Sequence, residues 1–295
     1  MKKILILVFA FTFFACFRSE KNIGSKDNPI IIALSYPYAE KLSSSDLSYL
    51  ESYLNSKTGF FVKLSIYRDS VSLIKDFGAG KTDAALVTVN EYLIARQDYK
   101  ANPVLQIVRG KGEKKYFAGI AVADKNINSL DDLKGKKIAA RDPYSISGFI
   151  LPGMFFAKEK IKPQFIFTGS HEASVKKVFS KEADAAAVYE KMIKADKRLK
   201  LIQIMGPVPN EPFICRKKFN SDYCARISDA LLSFSSDKKG AQILSLMADI
   251  SRFEPVNADV YSDLHEIILY SGKDIYSLVP ESYKLSKINE PYYFD

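Results

Sequence analysis

The chain has 295 residues, 47% hydrophobic and 26% charged, which is room for one large domain or two smaller ones and excludes disorder as the main state. Its 43 Lys and Arg against 34 Asp and Glu give a formal net charge of +9, favouring acidic partners: nucleic acid, an anionic membrane or anionic ligands. The basic residues are scattered (Lys136-Lys137, Lys176-Lys177, Arg216-Lys217-Lys218), with no basic tail or zinc-finger spacing, so nucleic acid is not an expected partner.

In chain order, Met1-Lys2-Lys3 is a short positive region and Ile4 through Ala15 an uncharged apolar run. A spanning helix needs roughly 20 such residues, so the run has the length of a secretory signal instead. Phe13-Phe14-Ala15-Cys16 and the polar stretch behind it resemble a bacterial lipobox, with Phe13 where Leu is usual. The reading is a signal peptide over 1–15, acylation at Cys16, a tether over 16–28, and an exported protein held at a membrane or in the periplasm by its lipid anchor. Cys215 and Cys224 remain as a disulfide in an oxidising compartment or as two buried thiols. No His/Cys cluster suggests a metal, and no cofactor is expected.

Ile30 to Leu34 reads as a buried strand, Ser44 to Asn55 as a serine-capped helix with Leu47, Leu50 and Leu54 on its apolar face, and Phe60 to Ile66 as a second strand. A helix from Ser70 to Phe77, a buried run from Ala84 to Val89, a helix around Tyr92 to Arg96 and a strand from Pro103 to Val108 complete a βαβα alternation. Tyr116 to Val122 reads as a strand crossing out of this lobe. The alternation then restarts: strand Lys137 to Ala140, helix Ser147 to Lys160, strand Phe165 to Phe167, helix Glu172 to Ser180, and strands at Asp184 to Val188 and Leu199 to Met205. Pro207, Pro209 and Pro212 break the pattern before the strand Phe213 to Cys215. Helices over Ser221 to Phe234, Lys239 to Met247 and Ala258 to Tyr270 close the chain. The expected fold is two α/β lobes, each a mixed sheet flanked by helices. The first lobe comprises 29–114 and 213–295, the second 115–212, with hinge crossings near 114–116 and 209–212. The ligand site of such a fold is expected in the cleft, at the carboxyl ends of strands.

The most informative segment is Arg141-Asp142-Pro143-Tyr144-Ser145-Ile146-Ser147-Gly148-Phe149, which follows a strand and opens a helix. A helix start has unpaired N–H groups and partial positive charge, so it suits an oxyanion. Ser145 and Ser147 add hydroxyls, and Gly148 lets the backbone come close. Taken alone, a serine there is also an ordinary helix cap.

This segment, its lead-in Ser129-Leu130-Asp131-Asp132-Leu133, Gly169-Ser170-His171-Glu172-Ala173 and Ala183-Asp184-Ala185-Ala186-Ala187 together resemble the phosphate, phosphite and phosphonate substrate-binding proteins of ABC transporters. These have the type II periplasmic-binding fold. The resemblance runs from about Ile30 to Phe253. It implies an extracytoplasmic solute-binding protein, a monomer that delivers a small anionic solute to an ABC permease. It also implies that Ser145, Ile146, Ser147, Gly148 and His171, with Tyr144 beside them, hold the oxyanion. His171 would donate through a ring N–H and add charge if protonated. The family's Thr is Ile146 here. In members that bind aminoalkylphosphonates, two tyrosines and two carboxylates surround the amine. The matching positions are Ser70 and Val87 for the tyrosines, and Lys191 and Glu211 for the carboxylates, so Glu211 alone retains an acid. Two other readings share this fold: an enzyme using Ser145 and His171 as nucleophile and base, and a sensor or surface lipoprotein without transport.

Overall fold

The computed structural model describes residues 21–270. The signal segment and Cys16 lie outside the described residues. The adjoining stretch is folded over its described part: Gly24 N–H donates to Asn28 O, and Phe61 N–H donates to Gly24 O (both 2.8 Å). Gly24 has φ +89°, and a Cβ there would stand 2.9 Å from the Phe60 ring. The expected tether is thus held at Gly24 against Phe60 and Phe61.

A six-stranded sheet has the order β11-β4-β10-β3-β1-β2. Its strands are β1 (Ile30–Ser35), β2 (Val62–Tyr67), β3 (Ala84–Leu86), β4 (Asn102–Arg109), β10 (Pro212–Cys215) and β11 (Ile250–Pro255). β1 is parallel to β2 and β3, while β10 and β11 run antiparallel to their neighbours. Its helices are α1 (Ser44–Thr58), α2 (Ser70–Gly78), α3 (Val89–Tyr99), α7 (Ser221–Phe234), α8 (Lys238–Leu246) and α9 (Ser262–Tyr270). A five-stranded sheet has the order β7-β6-β8-β5-β9: β5 (Lys115–Val122), β6 (Lys137–Ala140), β7 (Gln164–Phe167), β8 (Ala185–Tyr189) and β9 (Lys200–Pro209). α4 (Leu151–Lys158), α5 (His171–Phe179) and α6 (Glu190–Ala195) accompany it. This is the mixed α/β architecture in two lobes that the sequence implies.

Local chemistry explains most boundaries. Ser43 caps α1 in a reciprocal box with Asp46, Asp69 caps α2, and Thr88 forms the same kind of box with Glu91 at α3. Leu50 and Leu54 turn α1 onto the sheet. Three elements depart from the sequence reading, one of them the short helix α6, which was not anticipated. β9 continues through Pro207 to Pro209, because it is the edge strand of its sheet and its free side needs no amide donors. β11 was not anticipated; its mixed polarity becomes a strand only by pairing with β4. Cys215 and Cys224 form a disulfide that ties β10 to α7.

The chain passes between sheets at β4–β5 and returns at β9–β10, and these crossings lie side by side. Buried Asn210 pins them: its N–H donates to Lys114 O (2.9 Å), and its side-chain amide donates to Ile107 O (3.1 Å) and Glu113 O (2.7 Å). Tyr261 Oη donates to Asn210 O from the far end of the chain. A void of about 20 Å³ lies in the first lobe's core, walled by Leu34, Leu50, Phe213 and Phe234 among others. It is apolar and too small for an oxyanion.

Candidate functional site

The residues singled out in the second lobe converge at the carboxyl ends of β6, β7 and β8. After β6 the chain passes Arg141 and turns at Ser145 into a wide π-type turn, Ile146–Ile150, that runs into α4. Ser145 Oγ accepts from Gly148 N–H (3.0 Å), and the Ser145 carbonyl accepts from both Phe149 and Ile150. The turn is therefore partly capped by its own serine, which leaves that hydroxyl's proton free to donate. Among the described residues no acceptor meets the N–H groups of Ile146 and Ser147. Two amides and the Ser145 hydroxyl thus remain as donors at a positively polarised end.

Gly148 is the packing centre. A Cβ on it would stand 2.7 Å from Ser145 Oγ, 3.0 Å from Arg141 Cβ and 3.1 Å from His171 Cε1. The loop after β7 is brought here by Gly169 N–H, which donates to Arg141 O (2.8 Å). Ser170 then caps α5, and a Thr168–Ser174 hydroxyl contact of 2.7 Å fixes the loop, setting His171 at the first position of the helix. The His171 ring meets Tyr189 edge-on at 5.2 Å.

Electrostatics differ from what the sequence suggests. Burial, and then the nearby Arg141 guanidinium, push the His171 imidazole down to about 3, so it is neutral and adds no positive charge. The charge that protonation of this ring would add is therefore withheld. The positive charge belongs to Arg141, whose Nε lies 3.0 Å from Asp142 and whose side chain is 25% exposed. Burial opposes its charge, but Asp142, Tyr38, Glu91 and Tyr116 together raise its pKa. Tyr116, on β5, shares a hydrogen bond with the Ser147 side chain; burial first, and Glu211 second, hold its phenol well above the ordinary value.

The remaining candidates are occupied by protein partners. Ser70 Oγ donates to Glu91 Oε1 (2.6 Å), as does Ser35 Oγ (3.0 Å), while Thr88 N–H donates to Glu91 Oε2 (2.8 Å). Glu91 is 1% exposed. Glu211 is paired at 2.8 Å with Arg109, which also donates to Ala248 O. Its charge is therefore balanced within the protein. Val87 is buried in the core, its carbonyl taking Tyr38 Oη at 3.4 Å. Lys191 lies at the surface in an exposed pair with Glu113. Tyr144 is half-buried in an Asx turn, its N–H donating to Asp142 Oδ1 (2.8 Å).

The structure therefore gathers Ser145, Ile146, Ser147, Gly148 and His171, and adds Arg141 and Tyr116, which carried no role in the sequence reading. Tyr38 and Glu91 face Arg141 electrostatically from the first lobe. Arg141 opens the Arg-Asp-Pro segment and could have been noticed there; the Thr88-to-Glu91 spacing signals a capped helix start but not Glu91's part beside Arg141. Among the described residues no His/Cys/Asp/Glu group could hold a metal, and no helix is long and apolar enough to cross a membrane.

Residues 37–261 match the family described as the periplasmic phosphonate substrate-binding protein of ABC transporters. A phosphate-import protein, PhnD, of Mycolicibacterium smegmatis is 28% identical over 198 residues, which is 61% of this chain and 62% of that protein. Similar solved structures include a binding-protein component of an ABC phosphonate transporter from Pseudomonas aeruginosa. It has a TM-score of 0.67 at 20% identity, covering 82% of this chain and 86% of that one. PhnD1 of Prochlorococcus marinus in complex with methylphosphonate has a TM-score of 0.66 at 18% identity, covering 83% and 98%. At these identities the structures speak for the fold.

Proposed function

Because the chain belongs to the family of periplasmic phosphonate substrate-binding proteins of ABC transporters, we propose that it captures a small phosphorus oxyanion between its lobes and hands it to an ABC permease. The observation that carries this reading is the half-capped turn at Ser145. Two amides without acceptors and a free hydroxyl proton lie at the start of this turn, and the Arg141 side chain packs against Gly148 beside them. Several converging donors with one cation suit a compact tetrahedral anion. The occupied state of Glu211 argues against an ammonium-bearing ligand.

In this reading 29–114 with 213–295 and 115–212 are the moving lobes, and the crossings pinned by Asn210 are the hinge. Export to an oxidising compartment accords with the Cys215–Cys224 disulfide. Cys16 is the site of acylation that anchors the protein to the membrane, and the protein acts as a monomer without catalysis. Ser145 supports binding rather than nucleophilic attack, since its oxygen is engaged by Gly148 and His171 Nδ1 makes no hydrogen bond to it.

Isothermal calorimetry with phosphate, phosphite and methylphosphonate tests the proposal. At least one should bind with micromolar or tighter affinity and raise the melting temperature. No heat from any of them overturns the reading.

A further inference from the structure

The first lobe carries an apolar and basic patch where the chain enters it, at the amino ends of its strands and so opposite the cleft. Asn28 Nδ2 donates to Lys21 O (3.0 Å). Gly24 O accepts from Phe61 N–H, and Phe61 O accepts from Ile30 N–H, both at 2.8 Å. Asp83 lies beside them, its Oδ2 accepting from Ile31 N–H (2.9 Å) and its carbonyl from Arg216 N–H (3.0 Å). The segment from Lys21, the chain before β2 and the chain after β10 therefore share one surface.

On this surface Phe61 is 48% exposed, whereas its neighbour Phe60 is covered by the Tyr223 ring at 4.4 Å and the Arg226 guanidinium at 4.3 Å. The same segments expose Lys26, Lys57, Lys63, Lys217, Lys218 and Arg226. Their exposed acids are Asp27 and Asp222, while Asp83 is buried and paired with Arg216. A phenyl ring at the surface is ordinary by itself. Set among lysines, it has the composition that meets an anionic lipid interface, the ring entering the headgroup layer and the ammonium groups meeting its phosphates.

The length of chain before the patch singles out this partner. Lys21 lies five positions after Cys16, and five residues span no more than about 18 Å even when fully extended. The headgroup layer takes up roughly 5–8 Å of that. The patch is then left on the order of one screening length from the lipid charges at physiological salt. An acyl chain on Cys16 thus keeps this pole within reach of the membrane in every conformation of the link.

Resting on the acylation proposed at Cys16, we infer that this pole of the first lobe, with Phe61 exposed on it, seats on an anionic phospholipid surface. The acyl anchor supplies a high local concentration, and the patch fixes which end of the protein faces the bilayer. The second lobe, across the cleft, points away, and its Ile204 on β9, 41% exposed, stays in water.

The chain has no tryptophan, so Phe61→Trp and Ile204→Trp each introduce a single indole. Both variants of the full chain are produced in an exporting bacterial host, recovered in processed form and bound to phosphatidylglycerol vesicles that carry a headgroup quencher. At low salt the Phe61→Trp emission should be quenched at least about threefold more than that of Ile204→Trp. The difference should fall by about half or more in about 0.5 M salt, in phosphatidylcholine vesicles, or when Lys217→Glu and Lys218→Glu are added. Hydrogen exchange on the unaltered protein gives the same readout without an indole: vesicles should protect 57–63 and leave 200–209 unchanged. Equal quenching at the two positions, or equal protection of the two segments, on vesicles that retain the protein overturns the seating and leaves the anchor standing. Burial of the Phe61→Trp indole without vesicles, growing with protein concentration, assigns the patch to a second copy of the chain and overturns the seating too. Mass spectrometry that finds Cys16 without an acyl group overturns the acylation and this inference together.

Discussion

The two lobes meet at the same crevice with opposite polar economies. On the second lobe, the Ser145 turn holds amides without acceptors, a hydroxyl proton and a guanidinium. On the first, Ser35, Ser70 and Thr88 N–H all point at one buried carboxylate, Glu91, and Arg109 is matched to Glu211. One face has donors in excess; the other has satisfied its own. A buried polar group is stable only if paired, so a face whose donors are already paired gains little from a ligand. On the proposed oxyanion reading, the difference puts the donors available to a ligand on the second lobe and leaves the first with polar groups already paired.

Four measurements would break or sharpen this contrast. The largest effect is expected for Gly148→Ala, which puts a methyl group within 2.7–3.1 Å of Ser145, Arg141 and His171. Overpacking of about 1–3 kcal/mol falls where the ligand must sit, so phosphate affinity measured by calorimetry should drop by up to about 100-fold. Arg141→Gln comes next. Loss of a charge-assisted contact of about 1.5–2 kcal/mol should weaken phosphate by roughly 10- to 30-fold and reduce the salt dependence of binding. An unchanged affinity would remove the cation from the second lobe's account.

The third measurement is of stability. His171 is held down to about 3 in the folded protein against an ordinary value of 6.5. Between these values the unfolded chain binds a proton that the folded one refuses. Stability conferred by the neutral ring is complete above pH 6.5 and declines as pH falls, by on the order of 1 kcal/mol per pH unit. Denaturant unfolding between pH 7 and pH 4.5 should show this slope, and His171→Gln should reduce it. The smallest effect is expected for Ser70→Ala. It removes a donor to Glu91 but none from the ligand, so phosphate affinity should stay within about threefold. A tenfold loss would mean that the first lobe also grips, and the contrast would fail.

How far the sequence reaches can be judged from particular residues. Alternating apolar runs, the serine and glycine around the turn, and the histidine after Gly169-Ser170 are local signals, and local signals suffice for strands, caps and helix starts. They gave two α/β lobes and five residues of the candidate site. The same signals failed at β9, where prolines read as a break although an edge strand tolerates them, and at β11, whose alternation is too weak to register without β4 beside it.

The sequence by itself determined the layered α/β lobes and the donor-rich turn, because each depends on residues a few positions apart. Only the tertiary structure decided which charges remain available: that Arg109 balances Glu211 across 102 residues, that Glu91 takes up Ser35 and Ser70, and that burial, with Arg141 second, holds His171 neutral. A side chain's charge and hydrogen-bonding role depend on what it is buried against, and those neighbours come from distant parts of the chain.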